Sequence, residues 1–321
     1  MNSNQKIRLV NIIATIPALT ISMIPLSSLG ISLESELYGK INISYVHVDS
    51  NAHDWISNAS RIGIKGDYDL TEDLEFVYQL EQEVDVAHGG KDQNTLFGMR
   101  NSFIGLKGSF GKVYWGAFDS PFKRSQGKID VFNDQIGDIK TLFSGEIRST
   151  DSFMYDSPEF LSGFTVQTMY VPSDNNFDSG KSVALLYNQN EFTAAVSIDA
   201  DMRKNNQGVN STKVYDAVRG AVQYSLGNLK IGALYQQSEQ QNKIGAKKEN
   251  GYVLSASYKH DDLTFLAQYG ESDILGPDRK NTQLGVDFNL TKKSKVYLYW
   301  FDFETATGSE DMISLGTEIK F

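Results

Sequence analysis

The 321-residue sequence has no cysteine, which excludes a disulfide framework and any thiolate metal site. Histidine is almost as scarce. His47, His53, His88 and His260 are the four present, and none stands at metal-ligand spacing, so neither a metal site nor a cofactor is expected. No phosphate loop or nucleophile elbow occurs, which argues against an enzyme. Positive charge is in deficit as well: 30 Lys and Arg against 40 Asp and Glu give a formal charge of −10. That balance disfavours a nucleic-acid partner. Proline is limited to six residues, and beyond the N-terminus no apolar run is long enough for a membrane helix.

The exception at the N-terminus has its own logic. Lys6 and Arg8 precede an apolar run that ends in small residues near Ser28 and Gly30. This is the order of a secretory signal, and Pro17 and Pro25 interrupt the run as a membrane anchor. Residues 1–30 are therefore expected to be a cleaved signal peptide, with 31–321 as one domain. Because the segment holds two basic and no acidic residues, the exported chain carries −12.

What the remainder has in abundance is alternation. Short segments with apolar and polar side chains on opposite faces recur about sixteen times, separated by turn residues, and no helical period replaces them. Ile62 and Ile64 oppose Arg61 and Lys65; Ile41 and Ile43 oppose Lys40 and Asn42. In the last segment Ile313, Leu315, Thr317, Ile319 and Phe321 share one face. Only every second residue can then meet lipid, which reconciles export and β pattern with a sequence that is polar on average. The expected fold is all-β, a transmembrane up-and-down antiparallel barrel of about 16 strands. A soluble β-sandwich is the competing architecture.

Connection lengths alternate too. Tight turns, as at 108–111 and 226–228, take turns with longer polar stretches, as at 47–60 and 304–310. Short turns at one rim and long loops at the other are the habit of outer-membrane barrels. One loop is out of scale: residues 119–148 carry both charge signs among Phe122, Phe132 and Phe143, and a connection of that length is usually functional.

Residues 60–66 (SRIGIKG), 69–74 (DLTEDL), 78–81 (YQLE), 100–113 (RNSFIGLKGSFGKV), 116–121 (GAFDSP) and 155–164 (YDSPEFLSGF) resemble the general porins of Gram-negative bacteria, especially the neisserial and proteobacterial trimeric type. The resemblance spans essentially the whole exported chain. It implies a homotrimer in the outer membrane, a third loop folded into the pore as a constriction, and a C-terminal aromatic, Phe321, that serves as assembly signal. The implied partners are small hydrophilic solutes and ions, together with outer-membrane lipid. A substrate-selective channel and a surface adhesin or receptor barrel are the alternatives.

Charge on the lipid face of a barrel costs roughly 2–4 kcal/mol for a basic residue at mid-depth, so the charged faces should turn inward. On that basis Lys40, Arg61, Lys65 and Arg100 form the pore wall, opposed across a water-filled waist by Asp130, Asp134 and Asp138 of the loop. The rival arrangement has the same groups as ion pairs that fasten loop to wall. Net charge and the acids of residues 75–85 lead to an expected modest preference for cations.

Overall fold

The computed structural model describes residues 34–48, 53–88, 97–174, 178–203, 214–241 and 243–321; the expected signal peptide lies outside them. Eighteen strand segments form one closed antiparallel sheet, in which β1 (Glu34–Val48) pairs with β18 (Gly308–Lys320) to complete the ring. Two spanning strands are each broken in two. β2 (His53–Ser57) and β3 (Arg61–Thr71) pair with the same side of β1. Likewise β5 (Phe97–Met99) and β6 (Ser102–Gly108) both pair with β4 (Leu74–Val84). Eighteen segments less these two interruptions give sixteen spanning strands, so the fold is the all-β barrel that the alternation implied.

The first interruption shows how a bulge is held. Ala59 takes a positive φ of 51°, the Asn58 amide donates to the Asn42 carbonyl at 2.8 Å, and the Ser60 hydroxyl accepts from the Asn42 amide at 2.9 Å. An extra residue is thus accommodated without leaving the backbone groups unpaired.

Face assignment follows the period of two. Along β1, Leu37, Ile41 and Tyr45 are exposed on the outside whereas Lys40, Asn42 and Ser44 are buried inside. Tight turns collect at one rim, as between β6 and β7 (Gly111–Asp119) and between β12 (Val214–Leu226) and β13 (Leu229–Gln240). Two connections expected as long loops are shorter than that. Within the stretch 47–60, His53–Ser57 already runs antiparallel to β1, from the pair His47 and His53 to the pair Ile43 and Ser57. Residues 304–310 continue the ladder as far as the pair Thr305 and Gly308, where the Thr305 hydroxyl donates to the Gly308 carbonyl at 3.1 Å. In both places cross-strand pairing overrides a polar composition.

The 119–148 loop folds inside the barrel. Ser120 caps a single helical turn, α1 (Pro121–Arg124), by accepting the Lys123 amide at 3.1 Å. Its apolar residues Ile129, Ile139, Leu142 and Phe143 are buried against Ala195, Ala221, Leu234 and Val253 on β11 (Phe192–Arg203), β12, β13 and β14 (Glu249–His260). Phe132 packs edge-on against Tyr299 and Phe301, 5.2 and 5.5 Å between ring centres. Space for this docking comes from missing side chains: a Cβ on Gly270 would come within 2.5 Å of Leu142. The inner wall under the loop is apolar at these positions because a loop, rather than water, covers it.

Candidate functional site: the waist of the barrel

With the loop seated on one side, the remaining opening lies between it and the wall built from β1, β3, β4 and the strands that follow. Its lining includes Arg61, Arg100, Lys123 and Arg124 with Asp119 and Asp134.

Asp134 is the meeting point of loop and wall. Lys40 Nζ donates to its Oδ2 at 2.9 Å and Arg61 Nη2 at 2.6 Å. Lys40 also reaches Glu318 on β18 at 3.5 Å. Burial opposes ionisation of Asp134, yet the charges of Lys40, Arg61 and Arg100 outweigh it and hold the carboxyl far below the usual range. The residue is a fixed anion. It needs a positive φ of 67° to reach this position, which Asp tolerates better than bulkier residues.

Arg100 sits at the bulge between β5 and β6, 5 % exposed. Its amide donates to the Glu81 carbonyl at 3.1 Å, and its guanidinium holds Glu81 at 2.7 Å and Glu83 at 3.0 Å. On the far side Asp119 takes Lys123 at 3.2 Å and Arg148 at 3.0 Å. Arg124 lies 3.5 Å from Asp156.

Three of the residues assigned to the waist from sequence stand elsewhere. Asp130 is buried within the loop, where its two oxygens accept the Phe132 and Ile139 amides at 3.1 Å each. Burial, reinforced by Asp138 nearby, pushes its carboxyl well above the ordinary range. Asp138 caps the short 3-10 turn Ile139–Thr141 and accepts the Asp134 and Lys140 amides at 3.2 and 2.9 Å. These two acids shape the loop because short carboxylates near free amides bind them before they can face open water. Lys65 does face inward, but closer to the turn rim, paired with Glu36 at 3.1 Å.

The loop's base depends on a residue not singled out in the sequence. Arg219, on β12 and wholly buried, donates to Glu146 at 2.8 Å, to the Phe122 carbonyl at 3.2 Å and to Gln236 at 2.6 Å. Its guanidinium also lies 4.3 Å from the Phe122 ring centre. A signal was available: Arg219 alternates with Val218 and Val222 and so falls on the inner face.

Comparison with known proteins decides what kind of barrel this is, since the profile of the Gram-negative porins matches residues 25–303. The chain belongs to the Gram-negative porin family. Among its relatives, the major outer membrane protein P.IB of Neisseria gonorrhoeae is 25% identical over 94% of this chain and 97% of its own length. Two solved structures share the fold. The anion-selective porin from Comamonas acidovorans superimposes with a TM-score of 0.70 at 19% identity, covering 90% of this chain and all of that one. OmpT of Vibrio cholerae, in its trimer form, gives 0.64 at 16% identity, covering 90% and 100%. This porin is thus a channel protein of the bacterial outer membrane.

Proposed function

We propose that the porin conducts small hydrophilic solutes and ions by passive diffusion, and that Asp134, Lys40, Arg61 and Arg100 form the waist that filters them. The observation that carries this is the pairing of Asp134 with Lys40 and Arg61, which pins a loop of about thirty residues in the lumen. Charges lining a narrow passage set unequal electrostatic costs for cations and anions.

The sign of the filter follows from local charge. Four basic and two acidic residues line the opening, and each acid is already shared between two basic partners. A modest preference for anions results, opposite in sign to the one expected from net charge and the acids of residues 75–85. Glu81 and Glu83 behind Arg100 and Asp156 behind Arg124 offset part of the basic charge, which keeps the preference modest, and charges beyond a Debye length of about 8 Å are screened at physiological salt. In a salt gradient across a planar bilayer the reversal potential should have the anion-selective sign. Arg61→Ser should move it toward zero and Asp134→Asn further from zero; no shift in either variant would remove these residues from the waist.

A homotrimer is part of the same proposal, supported by the resemblance of residues 100–113 to trimeric porins and by the trimer form of a protein with this fold. Unboiled protein in detergent should run as a compact oligomer and boiled protein as a chain of at most ~36 kDa, since a closed barrel has no free edge at which unfolding starts. Light scattering that finds a single monomeric species in mild detergent would remove the trimer.

A further inference from the structure

Between the waist and the rim of tight turns, the inner wall holds a recess of about 390 Å³. Lys65, Asp67, Val77, Gln79, Phe103 and Lys112 line it. Lys112 opens β7 directly after the Gly108–Gly111 turn, opposite Lys107 in the ladder. Its Nζ lies 4.4 Å from the ring centre of Phe103 and 4.1 Å from that of Tyr114. Two ring faces thus support the ammonium, a contact that strengthens as the group is desolvated.

What Lys112 lacks among the described residues is an oxygen partner. The acids around it are engaged with other groups, and of their buried oxygens only Oδ1 of Asp156 is left without a hydrogen-bond partner among the described residues. Glu75 takes Lys107 at 2.9 Å and Glu36 takes Lys65 at 3.1 Å. Asp156 accepts the Tyr114 hydroxyl at 3.0 Å and faces Arg124 at 3.5 Å. A half-buried ammonium whose stem is fixed over two rings, and whose N–H groups face an open recess, is preorganised to receive an anion.

We propose that Lys112 is a docking point for the carboxylate of a small organic solute in transit through the channel. The inference rests on the channel reading and names a solute class for it. A single negative charge fits better than two, because Asp67 and Glu36 share the recess with the two lysines and repel a dianion more strongly than a monoanion. An apolar body fits as well, since Val77 and the edge of Phe103 border the same space.

The test is conductance block in a planar bilayer, with sodium benzoate added at the turn-rim side and sodium phosphate as the dianionic comparison. Wild-type channels should show saturable block by benzoate, and phosphate should block less. In Lys112→Met, which keeps the stem over both rings, the half-blocking concentration should rise by about fivefold, equivalent to about 1 kcal/mol; Lys112→Arg should retain block. Lys112→Gln replaces the Met variant if that protein fails to insert. Equal block in wild type and the Met or Gln variant overturns the site, and phosphate blocking as strongly as benzoate overturns the monocarboxylate class. Wild-type protein that opens no channels at all overturns the channel reading and this site with it, a result distinct from open channels that ignore benzoate.

Discussion

Replacing Phe321 by Asp, or deleting it, should reduce outer-membrane abundance by more than about tenfold, a loss that corresponds to about 1.4 kcal/mol or more in assembly. The Phe321 amide donates to the Gly39 carbonyl at 3.1 Å, and the Gly39 amide donates back at 3.2 Å. Its ring fills the space over Gly39, where a Cβ would meet a ring carbon at 2.5 Å. These contacts lie on the seam between first and last strands, at the end where the turn rim meets lipid. Deletion leaves the Gly39 amide and carbonyl without their partners at the lipid-facing seam, where unpaired backbone groups are costly. Thr307→Asp, in the turn at the opposite rim, is the control. Equal amounts of the two variants in isolated outer membranes would show that Phe321 does not guide assembly.

Arg219→Ala should release the loop while leaving the barrel standing. Glu146, whose Oε2 has no hydrogen-bond partner among the described residues, would lose the cation that faces its other oxygen. Breaking a buried pair from one side costs about 3–5 kcal/mol, because the remaining charge is left without compensation. Burial already pushes the Glu146 carboxyl upward, with Arg219 opposing that shift. The expected signs are a larger and noisier single-channel conductance and rapid trypsin cleavage after Lys123, Arg124 or Lys128, with the heat-dependent gel shift intact. Adding Glu146→Ala should recover part of the loss, since both members of the pair are then gone. Wild-type conductance together with wild-type protease resistance in Arg219→Ala would show that this contact does not hold the loop.

The barrel was legible in the sequence because a membrane imposes a strict rule on it. Alternation such as Arg61, Ile62, Gly63, Ile64, Lys65 has one reading once lipid must face the isoleucines. The loop was legible in length and location, but its interior was not. Asp130, Asp134 and Asp138 look alike in sequence, all acids at four-residue spacing between aromatics. Only the fold separates the two that bind amides of their own loop from the one that reaches Lys40 and Arg61. Arg219 went unread for the opposite reason: a single basic residue in a strand carries no local mark of the loop that will cover it. The cation preference drawn from total charge and the anion preference proposed from the local groups part on the same point, since selectivity depends on which few groups border the opening.

Lys40 touches three parts of the chain at once: its own first strand, Glu318 on the last, and Asp134 on the loop. The first and last strands become neighbours only when the cylinder shuts. A chain still open along that seam therefore lacks the full set of contacts that seats the loop, and its lumen stays wide. Narrowing of the passage becomes a late event in biogenesis, contingent on completed insertion, and a half-assembled protomer can be told from a finished one by the exposure of its loop alone.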